Sequence, residues 1–220
     1  MKKILLSAGL FLVSLITFAQ TDNIFMLSEE ASKEIVKSPE FQNVFKLQNE
    51  FLDKISNAVN QGIPLESIRT ATIDAVENNN NKPVYSMLFS DYQSGENFFN
   101  ALSEAKNTFR EKHRFIEENK SAFTCSTCSK TLSEEVNFLF NNFQAFNNNR
   151  YIPGTSSNTE RAAEPVCGSW WNQVRLGICA VACGVVTVGT AGIATAACGW
   201  GCWCTFCTQN SALATVICAD

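Results

Sequence analysis

The sequence predicts a mainly α-helical protein: an N-terminal helical bundle followed by a small, disulfide-stapled helical hairpin at the C-terminus. Residues 20–149 place apolar side chains three and four positions apart, as amphipathic helices do. Residues 176–219 carry no charged side chain and are dense in cysteine, glycine and alanine. Eight of the ten cysteines lie between Cys167 and Cys218, which marks the C-terminal region as a separate, cross-linked unit.

The first 19 residues have the three parts of a secretory signal peptide. Lys2 and Lys3 give a basic start, residues 4–18 form a short apolar run, and Ala19 is a small residue before the expected cut. Cleavage after Ala19 would deliver the mature chain to the periplasm or to the outside of the cell. Because such compartments are oxidising, we expect the even number of cysteines to form disulfides.

Residues 20–149 are expected to form an acidic helical bundle. A serine cap followed by proline at Ser38-Pro39 predicts the start of a long helix, which Gly62 ends. A second helix is predicted from Pro64. The inner faces comprise Phe41, Val44, Phe45, Leu52, Ile55 and Val59 in the first helix, and Leu65, Ile68, Thr72, Ala75 and Val76 in the second.

Two further helices are predicted after a break at residues 78–83. Ser94 is the expected cap of the first, and Thr131 with Glu134 forms a capping box at the start of the second. The helical spacing of their aromatic residues indicates a core rather than a ligand site. The inner-face residues are Phe98, Leu102, Ala105, Phe109 and Ile116, then Val136, Leu139, Phe140, Phe143 and Phe146.

The sequence offers little for catalysis. His113, the sole histidine, stands among charged residues and is expected on the exposed face of its helix, and no nucleophile is marked as its partner. Cys125 and Cys128, with Cys204 and Cys207, have the formal spacing of a zinc set, but export favours disulfides. We predict a protein that is not an enzyme and has no metal site or cofactor.

Residues 150–166 have the composition of a linker. They contain Pro153-Gly154, a run of serine, threonine and asparagine, and no apolar periodicity. Proteolytic cleavage concentrates in such segments, and Arg150, Arg161 and Ala163 are the plausible cutting points. The linker divides an acidic, cysteine-poor domain (20–149) from a hydrophobic module rich in cysteine and glycine (167–220), which we call the C-terminal module.

The C-terminal module contains two pairs of cysteines with helical spacing. Cys179 with Cys183, and Cys198 with Cys202, each share one helix face and lie symmetrically about a turn at residues 189–192. Antiparallel helices joined there would pair Cys179 with Cys202 and Cys183 with Cys198. Cys167 and Cys218 would close the base of the hairpin, while Cys204 and Cys207 would pair with each other or with Cys125 and Cys128.

Two other interpretations of this module remain open. The β-branched run at residues 185–188 is compatible with a strand, and residues 176–197 are long enough for a transmembrane span. Several glycines and threonines interrupt that stretch, and no lysine or arginine follows it. The four tryptophans either lie at a membrane interface or fill a small core. They are Trp170, Trp171, Trp200 and Trp203.

The leader, the helical pro-region, the linker and the paired cysteines of residues 167–220 together resemble the precursors of cysteine-rich bacteriocins of the microhalocin type. The resemblance implies that the C-terminal module is a released toxin and that residues 20–149 act as a pro-region or an immunity protein. Over residues 179–202 the nested pairs are also similar to the α-hairpinins, a family of small defence peptides.

We therefore predict a secreted, bacteriocin-like antimicrobial peptide precursor whose C-terminal module acts on target-cell membranes. The alternative is a non-catalytic cell-envelope protein in which the module stays attached and binds a membrane or a partner. Removing Lys2 and Lys3 with the leader changes the net charge from −4 to −6, and this acidity argues against nucleic acid as a partner. The sequence does not determine the oligomeric state.

Overall fold

The structure is a computed structural model that describes residues 27–118, 131–148, 150, 152–154, 170–182 and 202. These residues are mainly helical and include no strand, which confirms the predicted fold class. The helices are α1 (Glu29–Lys37), α2 (Pro39–Asn60), α3 (Leu65–Asn78), α4 (Lys82–Leu88), α5 (Tyr92–Lys112), α6 (Phe115–Glu118), α7 (Leu132–Asn141), α8 (Phe143–Asn148) and α9 (Trp170–Ala182).

Helix α2 lies at the centre of the bundle and contacts α1, α3, α4, α5 and α9. Its boundaries follow the sequence signals: the Ser38 hydroxyl accepts a hydrogen bond from the Phe41 amide at 3.3 Å, and Pro39 occupies the first turn. Gly62 follows the helix with φ +93°, a conformation that favours glycine. Except for Val59, which is half-buried, the predicted inner-face residues of α2 are buried.

Helix α3 packs against both α4 and α7. The predicted capping box forms at the start of α7: Thr131 Oγ1 accepts from the Glu134 amide at 3.3 Å, and the Glu134 carboxylate accepts from the Thr131 amide at 2.6 Å. All five predicted inner-face residues of this segment are buried, although the segment is divided at Asn142 into α7 and α8.

Helix α5 differs from its prediction in its N-cap and in its buried face. Asp91, not Ser94, is the N-cap, because its carboxylate accepts the Ser94 amide hydrogen bond at 2.8 Å. Of the neighbouring residues Phe98 and Phe99, Phe99 is buried and Phe98 is half-buried. Gly95 accounts for this register, since it makes room for the Tyr85 ring, which stacks on Phe99 with centroids 5.5 Å apart.

Other boundary predictions also need correction. The predicted break at residues 78–83 ends earlier than expected, since α4 begins at Lys82 with Pro83 in its first turn. Proline is tolerated there because the N–H groups of the first turn have no partner within the helix. Ile116 is buried but belongs to α6, after α5 has ended at Lys112. In the part of the chain that the structure describes, no helix combines the length and apolarity required to cross a membrane.

Candidate functional site

The first helix of the C-terminal module is part of the bundle core. Helix α9 lies mainly against α1, and it also contacts α2 and α5. Residues on every side of the helix are buried, as in a helix that is enclosed rather than laid on a surface. They are Gln173, Val174, Leu176, Gly177, Ile178, Cys179 and Ala180. We refer to the faces of α1, α2 and α5 that contact α9 as the α9 seat.

Gly177 sets how closely α9 approaches α2. A side-chain carbon at this position would overlap the Phe41 ring, so the two helices meet where α9 has no side chain. Phe41 is 1 % exposed and packs against Phe45 and Phe109, with ring centroids 5.0 and 5.7 Å away. These neighbours fix the ring, so the seat is shaped for a glycine at this point.

Two lysines of α1 lie over the first residue of α9. The Nζ atoms of Lys33 and Lys37 are 5.7 and 5.9 Å from the centroid of the Trp170 ring. Such cation–π contacts are worth about 0.5–1 kcal/mol each at exposed sites. Trp170 and Trp171 are half-buried against the bundle core, while Trp200 and Trp203 lie outside the described residues.

A chain of amide hydrogen bonds joins the α9 seat to the beginning of the linker. Gln42 Nε2 donates to the Val36 carbonyl at 2.7 Å and to the Pro153 carbonyl at 3.4 Å. The next amide, that of Gly154, donates to Gln173 Oε1 at 3.3 Å, and Gln173 is only 2 % exposed. Gly154 has φ +82°, a conformation that few other residues adopt. These contacts tie α1, α2, α9 and the linker together.

Cys179 and Cys202 form a disulfide with Cα atoms 5.7 Å apart and a sequence separation of 23. This is the outer pair of the nested arrangement suggested by the cysteine spacing. Both residues are buried, with 2 % and 0 % exposure. The eight other cysteines lie outside the described residues: Cys125, Cys128, Cys167, Cys183, Cys198, Cys204, Cys207 and Cys218.

Of the candidate cleavage points, the structure describes Arg150. Its guanidinium pairs with Asp53 at 2.6 Å between Nη1 and Oδ1, and its Nε donates to the Asn147 carbonyl at 3.3 Å. The start of the linker is therefore attached to the bundle. Ala19, Arg161 and Ala163 lie outside the described residues.

His113 does not lie on an exposed helix face as expected. It is the residue after α5, and its half-buried ring packs against Phe109 and Phe115 with centroids 4.6 and 6.0 Å away. Its Nε2 has no hydrogen-bond partner among the described residues, and burial lowers the pKa of the imidazole. Because α5 ends at Lys112, helical periodicity does not extend to His113 and does not predict this packing.

Lys106 is a notable ionisable residue that sequence reasoning missed. It lies on the inner face of α5 with 5 % exposure, and burial lowers the pKa of its ammonium group to about 7. The sequence did contain a signal: Lys106 stands four residues after Leu102 and three before Phe109, which places it on the same helix face as these two core residues. Among the described residues, no group of three or more histidine, cysteine or acidic side chains could hold a metal ion.

Comparison with known proteins adds no further constraint on this site. No family model matches the chain, and searches of the curated proteins and of the solved structures likewise gave no match. The features that bear on function are therefore the α9 seat and the chemistry of the C-terminal module.

Proposed function

We propose that the chain is a secreted, bacteriocin-like antimicrobial precursor in which residues 20–149 enclose the apolar C-terminal module until it is released. The observation that carries this proposal is the burial of α9 among α1, α2 and α5. A module of this composition would expose much apolar surface if it stood alone in water. The bundle supplies a matching apolar surface in the same polypeptide.

The fit between α9 and its seat supports a protective role for the bundle. Val174, Leu176 and Ile178 are at most 1 % exposed, and each would return roughly 1.5–3 kcal/mol of unfavourable hydration if it were fully uncovered. Enclosure of α9 would therefore keep the precursor in solution after export. Removal of the bundle would make the same surface available to a bilayer.

The proposed target of the released module is the membrane of another cell. Its apolar helix and its four tryptophans suit the boundary between lipid tails and headgroups. Arg175 and Asp220 leave the module without net charge, so the hydrophobic effect rather than attraction to anionic lipid would drive binding. Leakage should therefore depend little on the fraction of anionic lipid.

The first experiment determines the intact mass of the secreted protein, before and after reduction. A fragment that begins between Arg150 and Cys167, with oxidised cysteines, is expected. Residues 167–220 should then cause leakage from vesicles of zwitterionic lipid and inhibit the growth of sensitive bacteria. A full-length secreted chain, together with a fragment that neither permeabilises vesicles nor inhibits growth, would overturn the proposal.

The second candidate is a non-catalytic envelope protein that keeps its C-terminal module. The attachment of the linker to the bundle favours it: Arg150 is paired with Asp53, and Pro153 and Gly154 are hydrogen-bonded to Gln42 and Gln173. This candidate predicts an uncut chain, beginning at Gln20, that sediments with the cell envelope. Cell fractionation followed by intact-mass measurement separates the two functions.

A further inference from the structure

Helix α1 covers α9 and depends on it. Its most extensive contacts are with α9 rather than with α2, although α2 follows it directly in the chain. Ser32, Ile35 and Val36 form its buried face. Because a helix of nine residues is not stable alone in water, α1 requires these contacts to remain folded. Retention of α9 and folding of α1 are therefore coupled.

The contacts of Gln42 reinforce this coupling at the end of α1. One side-chain amide holds the Val36 carbonyl in α1 and the Pro153 carbonyl in the linker. The adjacent Gly154 amide holds Gln173 in α9. In addition, Lys33 and Lys37 of α1 lie over the Trp170 ring of α9. None of these interactions depends on an intact peptide chain between residues 155 and 169.

We propose that α1 and Gln42 form a strap that retains the C-terminal module on the bundle after the linker has been cut. Cleavage at Arg161 or Ala163 lies between Gly154 and Trp170, so it breaks none of the contacts described above. Release is then a two-step process in which α1 must be displaced after proteolysis. An apolar phase that binds α9, such as a lipid bilayer, supplies the competing surface for the second step.

This inference rests on the proposed function in one respect, namely that the linker is cut. The test introduces the cut with an added protease, so it does not require natural processing. The protein is the mature chain with a sequence-specific protease site inserted after Asn158. Cys125→Ser and Cys128→Ser remove the cysteines upstream of the linker, so that no disulfide can join the two fragments. After cutting, size-exclusion chromatography at micromolar concentration, without reductant, should show both fragments in one peak.

Variants of the strap should weaken the complex in a graded manner. Ile35→Ala with Val36→Ala removes buried methyl and methylene groups from α1, and the dissociation constant of the cut complex should rise by at least about tenfold. Gln42→Ala leaves the apolar core in place and should raise it by a smaller factor. Lys46→Ala is the matched control on α2, since the Lys46 side chain is 71 % exposed and its ion pair, at 3.9 Å, is with Glu50 one turn further along the same helix.

The outcomes of this test are decisive for the strap. Separation of the fragments on cutting, with the bundle still helical by circular dichroism, would overturn the proposal. So would strap variants that, while folded, bind the module as tightly as the Lys46→Ala control. Failure of the proposed function has a different signature, namely an inactive residue 167–220 fragment, which this association assay does not measure.

Discussion

At the scale of single residues, Lys106 is expected to make the stability of the fold depend on pH. Its ammonium group has a pKa lowered to about 7 by burial, against an ordinary value of 10.5. Between these two values the unfolded chain binds a proton that the folded protein does not. The free energy of unfolding should therefore rise with pH, by about 1.4 kcal/mol per unit above pH 7 from this group alone.

The Lys106→Met variant should lose this pH dependence. Methionine has similar length but cannot bind a proton, so its unfolding free energy should stay nearly constant while that of the wild-type protein rises. Urea denaturation at several pH values from 7 to 9 measures the difference. Lys46→Met, at an exposed position of α2, is the control and should follow the wild-type slope. Parallel slopes for the wild type and Lys106→Met would show that Lys106 stays protonated in the folded protein.

Gly177 provides a second test at the residue scale. In Gly177→Ala the new methyl group would overlap the Phe41 ring, which is buried. We expect a loss of about 1–3 kcal/mol in unfolding free energy, despite the better helix propensity of alanine. Equilibrium denaturation of the single variant provides the value.

A double-mutant cycle tests whether Phe41 causes the destabilisation by Gly177→Ala. Phe41→Leu shortens the side chain that meets Gly177, so Gly177→Ala should be less destabilising in that background than in the wild-type protein. Equal losses in both backgrounds would place the origin of the effect elsewhere in α9.

At the scale of helices, the sequence predicted those elements whose signals are local. The capping box at Thr131 and the proline start of α2 each involve residues within one turn, and both are present in the structure. Five of the six predicted inner-face residues of α2 are buried, because the apolar stripe repeats along the helix, and Val59 is half-buried. Such signals need no knowledge of the rest of the fold.

The predictions that were wrong concern choices that the local signals leave undecided. Ser94 and Asp91 are both good caps, and helix propensity does not choose between them. Phe99 rather than Phe98 is buried because Tyr85 of α4 packs beside Gly95. The α9 seat had no sequence signal of its own, since its apolar residues serve equally well as the core of an isolated bundle.

The disulfide between Cys179 and Cys202 links α9 to a second part of the C-terminal module. In the chain-entropy model, closing a loop of this length stabilises the folded state by about 3 kcal/mol. The double variant Cys179→Ala with Cys202→Ala should lose roughly that amount in unfolding free energy. Each single variant breaks the same bond, so its loss should be of similar size. Two single losses that add up to the double loss would show that the cysteines act separately.

At the scale of the whole molecule, α9, the first helix of the C-terminal module, belongs to the same hydrophobic core as the acidic domain. Val36, Phe41 and Phe109 are at most 1 % exposed and come from α1, α2 and α5, the helices that contact α9. A domain boundary drawn from composition alone therefore separates segments that are packed together. The change in charge and cysteine content along the chain does not coincide with a gap in the core.

This arrangement predicts that the acidic domain is incomplete without the module. A chain of residues 20–166 should lose on the order of 5 kcal/mol in unfolding free energy relative to residues 20–220, since several large apolar side chains lose their cover. It should also bind a hydrophobic fluorescent dye.

Thermal and urea denaturation, with dye fluorescence, compare the two chains. A chain of residues 20–220 with a few glycine and serine residues inserted after Asn158 is the control, because loop length changes stability only slowly. If residues 20–166 unfold with the midpoint and cooperativity of the longer chain, α9 contributes nothing to the bundle core, and the strap proposed for α1 would have nothing to hold.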